Sequence, residues 1–252
     1  MTRVLLLGGT GEGRALAARL QDYPAVDLIS SLAGRVPDPA LPAGRVRIGG
    51  FGGADGLRDW LRAERIDAVV DATHPFAATI TEHAKRACDD LGVAHLVLAR
   101  PAWEPGDALV VESNAKAASV VEKEGFSRIF LTTGRSGTAA FSRSAAWFLI
   151  RVVTEPDSAD LPAHHRVLLS RGPYHYDDEK SLLAEHRIDA LVTKNSGGSM
   201  TRAKIDAAAD SGVPVIMIAR PALPSQVLAV GSVAEAADWV ASRSGSPGSY
   251  VG

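Results

Sequence analysis

Short, almost wholly apolar runs recur along the entire chain, separated by segments whose apolar residues return at helical spacing. Read as strands, RVLLLGG, VDLISSL, RVRIGG, DAVVDAT, HLVLARP and ALVVES punctuate the first half. RIFLTTG, WFLIRVV, HRVLLSRG, DALVTKN, PVIMIARP and QVLAVGS punctuate the second. A strand that is apolar on nearly every residue has no solvent face, as in a parallel sheet covered on both sides by helices. The intervening segments carry helix start signals, such as Ser113 before NAKAASVVEKEG and Ser232 before VAEAADWVASR. The expected class is α/β, with doubly wound parallel sheets.

The two halves can be laid over one another. ERIDAVVDAT from Glu64 is matched by HRIDALVTKN from His186, HLVLARPA by VIMIARPA, VESNAKAA by VGSVAEAA, and RVLLLGGTGEG by RIFLTTGRSGT. The offset is roughly 120–125 residues throughout, the mark of an internal repeat. The chain therefore reads as two Rossmann-like units, residues 1–125 and 126–252, joined near Gly125. One large mixed sheet is the alternative. The last strand of each unit follows a proline-containing segment, ARPAWEPGD or ARPALPSQ, so these two strands are placed to exchange between the units. GRVPDPALPAG and TEPDSADLPA read as loops, and the tail RSGSPGSYVG as disordered.

Composition narrows the class. The chain has 252 residues, 46% of them apolar, which is enough for one large core or two smaller ones. A formal net charge of −2 argues against a nucleic-acid binder. No apolar run reaches the ~18–20 residues of a membrane span, and MTRVLLLGG is too short and glycine-rich for a signal peptide. A cytoplasmic protein without a membrane partner is expected. The single cysteine, Cys88, excludes an internal disulfide and a cysteine-based metal site, and is expected on the packed face of ITEHAKRACDDLG. No metal ligand set is evident.

Ligands of parallel sheets bind at the carboxyl ends of the strands. GGTGEGR, running from Gly8 through Gly9, Thr10, Gly11, Glu12 and Gly13 to Arg14, lies at such an end. Its glycines let backbone N–H groups approach a pyrophosphate, and the helix that starts there offers a positive end. The spacing departs from G-x-G-x-x-G. An NAD site would place an acid near the end of the second strand to accept from the adenosine ribose. Here VDLISSLAGR ends in Ser30 and Ser31, with Arg35 soon after, and Asp27 comes too early. Two hydroxyls and two guanidiniums, Arg14 and Arg35, suit a 2′-phosphate, and so NADPH. The fourth strand ends VVDATHPFA, placing Asp71, Thr73 and His74 at the same edge. His74 is a candidate proton donor or a helix cap.

The second unit keeps the architecture and changes the edge. TTGRSGT, SRGPYHYDDEK and TKNSGGSMTRAK, with Arg143 beyond the first of them, place Arg135, Arg143, Arg171, Lys194, Arg202 and Lys204 at this edge, with hydroxyls at Thr132, Thr133, Ser136, Ser196 and Thr201. Such an edge suits an anion with dispersed carboxylates. RGPYHYDDEK has the composition of a lid.

With these residues placed, the chain resembles the precorrin-6A reductases of cobalamin biosynthesis. LLLGGTGEGRALA, VVDATHPFA and LVTKNSGG followed by AK carry the resemblance, which covers nearly the whole chain. It implies NADPH-dependent reduction of a polycarboxylate tetrapyrrole, precorrin-6A, to precorrin-6B. A hydride goes to a ring carbon and a proton to its neighbour. The first unit would hold NADPH and the second the carboxylates, with Lys194 as an anchor and Lys194, His74 or water as the proton source. Neighbouring enzymes of the pathway are the implied protein partners.

Two rivals stand beside this reading. Tyr176 and Lys180 form the Tyr-x-x-x-Lys pair of short-chain reductases, but the glycine turn lacks that spacing and no serine sits at the expected distance upstream. An NADP-binding sensor without chemistry would leave the basic edge of the second unit unexplained.

Overall fold

The computed structural model describes residues 1–34 and 41–244. Arg35, most of the loop GRVPDPALPAG and the tail beyond Ser244 lie outside the described residues. In chain order the elements are β1 (Thr2–Leu7), α1 (Gly11–Leu20), β2 (Val26–Leu32), β3 (Arg45–Ile48), α2 (Gly53–Ala63), β4 (Ala68–Asp71), α3 (Ala78–Leu91), β5 (Ala94–Leu98), β6 (Leu109–Val111) and α4 (Asn114–Lys123). There follow β7 (Arg128–Leu131), a 3-10 helix (Arg135–Phe141), β8 (Trp147–Val152), a 3-10 turn (Ser158–Asp160), β9 (His164–Leu169), α5 (Tyr176–Glu185), β10 (Ala190–Lys194), α6 (Ala203–Asp210), β11 (Val215–Ile218), β12 (Leu228–Val230) and α7 (Val233–Ser244). Each of the twelve strands falls on one of the apolar runs, β1, β5 and β9 beginning one residue before it.

The strands form two six-stranded sheets, ordered β12-β5-β4-β1-β2-β3 and β6-β11-β10-β7-β8-β9. Every pairing is parallel. The two orders are the same once the repeat is superposed, so the internal repeat is a repeat of topology. Strand β6 belongs to the second sheet and β12 to the first: the terminal strands are exchanged. The compact units are accordingly Met1–Arg100 with the chain from Pro221 onward, and Pro101–Arg220. This differs from a division at Gly125. The exchange moves each boundary back to an Arg-Pro step, where proline's missing N–H ends the strand ladder.

In the first unit, Leu16, Leu20, Ala236 and Val240 of α1 and α7 pack on Val4, Leu6, Leu28 and Leu96. Leu57, Leu61, Ala84 and Cys88 of α2 and α3 pack on Leu5, Leu7, Ile29 and Val69 of the opposite face. Cys88 is buried, and burial pushes its thiol pKa up to about 12. In the second unit, Leu183, Ile205 and Ala208 of α5 and α6 cover Phe130, Leu149, Leu191 and Met217. Ser113 and Ser232 cap α4 and α7, with Ser113 Oγ accepting from Lys116 N and Ser232 Oγ from Glu235 N. Glu235 reaches back to Ser232 N and completes a capping box.

Candidate active site

The strand order of the first sheet reverses between β1 and β4, the position at which such sheets open a ligand crevice. Thr10 spans that point. Its hydroxyl donates to the Ala72 carbonyl at 2.7 Å beyond β4, and accepts from Gly13 N at 3.0 Å as the N-cap of α1. Gly9 adopts φ +116°, and a Cβ there would meet nothing within 4 Å, so the turn is open on its outer side. Gly13 is the close-packing position: a Cβ would lie 3.4–3.5 Å from Thr10, Ala72 and Gly8. Gly11 opens α1. Glu12 is already engaged by Arg100, at the end of β5, at 2.7 Å. The Arg-Pro step repeated in both halves was the one sequence signal for Arg100.

Gly8, Gly9, Gly13, Arg14 and Ser30 line one small cavity. Ser30 is fully buried, and its Oγ has no hydrogen-bond partner. Buried hydroxyls are normally paired, so this one has capacity for a ligand. Ser31 faces the other way. Its carbonyl accepts from Gly8 N at 2.9 Å, and its Oγ accepts from Arg47 Nη1 at 3.1 Å. The sequence reading missed Arg47. It lies on β3, directly opposite Ser31 in the register.

Asp71, at the end of β4, is buried and used internally. Its Oδ1 accepts from the Thr73 N–H and hydroxyl, at 2.9 and 2.6 Å, and its Oδ2 from Thr81 Oγ1 at 2.6 Å. Asp71 and Thr73 thus brace the turn that presents His74, which is exposed. His74 Nδ1 accepts from Phe76 N at 3.2 Å, so the neutral ring carries its proton on Nε2.

The second unit treats its first turn differently. The position equivalent to Gly8 carries Thr133, which is buried beneath Gly137: a Cβ on that glycine would come within 2.3 Å of Thr133 Oγ1. The turn leads into a 3-10 helix instead of an α-helix. Thr132 ties β7 to β10 through Val192 O, at 2.9 Å from its N–H and 3.1 Å from its hydroxyl. Arg135, Ser136, Arg143 and Arg171 are exposed, and none of the three arginines forms an ion pair among the described residues. Lys194 ends β10, half-buried, and burial lowers its ammonium pKa. Arg202 pairs with Asp206 at 2.8 Å.

Lys204 is not on the exposed edge. It is 4% exposed, donates to the Thr201 carbonyl, and lies 4.9 Å from the Trp103 ring. Burial, with Arg151 nearby, pulls its pKa down to about 7. The first turn of α6 directs this lysine inward. Beside it, Arg151 of β8 and Glu179 of α5 form a buried two-pronged ion pair, Nη2 to Oε2 at 2.8 Å and a second contact between Nη1 and Oε1. The Arg151 guanidinium also stacks on Tyr174, 3.7 Å from the ring centre. The loop NSGG after Lys194 docks on the segment by which the chain enters this unit: Asn195 holds Trp103, and Trp103 Nε1 donates to Gly198 O at 2.8 Å. Ser196 folds back in a tight turn, its N–H donating to Lys194 O at 2.7 Å. In the segment read as a lid, Tyr174 N donates to Met200 O and Tyr174 Oη to Ser170 O, both at 3.1 Å.

Tyr176 donates its hydroxyl to Asp210 at 2.7 Å, and that bond raises its pKa. A short-chain reductase needs this tyrosine acidified, so the geometry opposes that rival. Among the described residues no group of His, Cys, Asp and Glu is placed to hold a metal ion, and no helix is long and apolar enough to cross a membrane.

Fold and site together define a class: a duplicated, strand-exchanged, doubly wound α/β protein in which one glycine-rich turn feeds an α-helix and the other does not. Residues 3–241 match the family Precorrin-6x reductase CbiJ/CobK. The chain is 68% identical over 241 residues to the precorrin-6A reductase of Mycobacterium tuberculosis (strain ATCC 25618 / H37Rv), covering 96% of this chain and 98% of that protein. It is 55% identical over 243 residues to that of Rhodococcus erythropolis, covering 95% and 98%. A solved structure of CobK precorrin-6A reductase superposes with a TM-score of 0.89 at 36% identity, covering 98% of this chain and 99% of that one. The chain belongs to the precorrin-6A reductase family, oxidoreductases of cobalamin biosynthesis that act on a tetrapyrrole intermediate.

Proposed function

We propose that this protein reduces precorrin-6A to precorrin-6B, with NADPH bound by the first unit and the substrate's carboxylates by the second. The observation that carries the division of labour is the contrast between the two first turns. After β1 the turn is open at Gly9, leads into α1, and stands beside an unpartnered Ser30 hydroxyl. After β7 the residue in the position of Gly8 is Thr133, and the turn leads into a 3-10 helix instead of an α-helix.

The residues fit a phosphorylated dinucleotide. Backbone N–H groups from Gly9 to Glu12, at the start of α1, would hold the pyrophosphate. Arg14 and the hydroxyls of Ser30 and Ser31 would hold the adenosine phosphate end. NADPH, when bound, supplies the hydride. In the second unit, Arg135, Arg143, Arg171 and Arg202 offer guanidiniums to dispersed carboxylates, and Lys194 and Ser196 anchor one more. Positioning is most of the task, because the flat ring must be held still against the hydride donor. His74, on the turn braced by Asp71, is the protein's candidate for delivering the proton, from Nε2 of its imidazolium form. Such a protein works in the cytoplasm, and enzymes making precorrin-6A and consuming precorrin-6B are its pathway neighbours.

Lys194→Ala tests the division. Loss of one charge-assisted anchor is expected to raise KM for precorrin-6A by about 10–100-fold with kcat little changed. A collapse of kcat at unchanged KM would instead make Lys194 the proton donor and overturn its role as an anchor.

A further inference from the structure

Arg47 is a half-buried cation whose hydrogen-bond partners among the described residues are all neutral. Its Nη1 donates to Ser31 Oγ at 3.1 Å and to the Gly49 carbonyl at 2.6 Å, and its Nη2 to the Gly50 carbonyl at 2.7 Å. The Phe51 ring lies 3.8 Å from Cζ. Among the described residues it has no carboxylate, whereas Arg3, Arg45, Arg58 and Arg100 of the same unit each have at least one. Withdrawing a charge from water without a counter-ion is costly, and burial does lower the pKa of this guanidinium. Such a group is stabilised by an incoming anion.

Its position says which anion. Arg47 stands opposite Ser31 in the pairing of β2 with β3, at the sheet edge where the ribose of a bound dinucleotide lies. Two carbonyls and an aromatic face fix the plane of its fork in advance. Ser31 Oγ accepts from Arg47, which leaves the serine's own hydrogen to donate elsewhere. The Ser31 carbonyl meanwhile accepts from Gly8 N, joining this corner to the glycine-rich turn. We propose that Arg47, acting with Ser31, reads the 2′-phosphate of NADPH and so sets the preference for NADPH over NADH. The inference rests on the first unit being the nucleotide-binding unit, and adds to Arg14 a residue whose geometry is fixed before the ligand arrives.

Calorimetric titration of wild type, Arg47→Met, Arg47→Lys and Ser31→Ala tests it, with NADPH and NADH as ligands and 2′,5′-ADP and 5′-AMP as fragment probes. Arg47→Met is expected to weaken NADPH and 2′,5′-ADP by about 10–100-fold while NADH and 5′-AMP stay within about twofold. Arg47→Lys retains the charge without the fork and falls between. Ser31→Ala weakens the same two ligands by less. An equal loss for NADPH and NADH means that Arg47 only braces the Gly49–Gly50 turn, and overturns the proposal, as does unchanged NADPH affinity. If Arg47→Met fails to fold, the same ratios in Arg47→Lys and Ser31→Ala decide. A wild type that binds neither NADPH nor 2′,5′-ADP overturns the reading of the first unit itself. A wild type that binds both, with no selective effect in the variants, overturns the role of Arg47 alone.

Discussion

Asn195 holds Trp103 by both of its backbone groups, Oδ1 accepting from the Trp103 N–H at 2.8 Å and Nδ2 donating to the Trp103 carbonyl at 2.9 Å. The side chain thereby imitates a neighbouring strand. Arg220 completes the joint, its Nε donating to the Asn195 carbonyl at 2.8 Å and its Nη2 to the Pro101 carbonyl at 3.1 Å. Gly197 is obligatory here: a Cβ would fall 2.1 Å from the Pro101 carbonyl oxygen. The segment after Lys194 is thus a fastening for the entering chain, and it fixes where Lys194 stands.

Asn195→Ala leaves both groups of Trp103 without partners. The expected loss is about 2–4 kcal/mol of stability, two unmet backbone groups at 1–3 kcal/mol each less what water recovers. Urea unfolding of wild type and variant measures it. An unchanged midpoint would show that Asn195 does not fasten this joint.

The Arg151–Glu179 pair makes an asymmetric prediction. Glu179→Leu leaves a buried guanidinium without its counter-ion and is expected to cost about 3–5 kcal/mol. Arg151→Met combined with Glu179→Leu removes both charges and recovers most of that loss, because desolvation opposes the pair as strongly as attraction favours it. Denaturant titration of the three variants reads the cycle.

How much of this was readable beforehand differs by element. The strands, their all-parallel pairing and their exchange follow from apolar runs and from two Arg-Pro steps, which are local signals. The caps at Ser113 and Ser232 are equally local. Arg151 carried a signal that went unread: a charge inside the apolar run WFLIRVV requires a buried partner. Glu179, that partner, looked like an ordinary first-turn acid because nothing local distinguishes it from Asp177 and Asp178. Lys204 and Arg47 were beyond local reading. The first is buried by Trp103, distant in sequence; the second is oriented by its near neighbours Gly49, Gly50 and Phe51, but the residue it faces, Ser31, lies on another strand. The boundary at Gly125 was misplaced because each exchanged strand takes its following helix with it.

Lys204 gives the protein a pH dependence of definite sign. Its ammonium titrates near pH 7 when folded and at 10.5 as an ordinary lysine. Between these values the unfolded chain binds the extra proton, so this group makes stability rise with pH. Above pH 9 the Cys88 thiol acts in the opposite sense, since its pKa is raised from 9.0 to about 12 and the unfolded chain loses that proton first. The clean window is pH 7 to 9. There the unfolding free energy of wild type is expected to rise relative to that of Lys204→Met, and parallel curves would contradict the burial of the charge.

One NADPH per chain is expected, although the chain contains two copies of the fold. The second unit carries Thr133 where the first has Gly8, and its turn leads into a 3-10 helix that offers a pyrophosphate no α-helical N-terminus. A calorimetric stoichiometry of two would contradict this.

The most direct test of the central claim is to mix the purified protein with precorrin-6A and NADPH without oxygen, following nicotinamide absorbance and pigment mass together, with NADH as the control. Loss of NADPH matched by a gain of two hydrogens in the pigment, and a much weaker response to NADH, is the predicted result. Tight NADPH binding with neither cofactor consumption nor a change in pigment mass would contradict it.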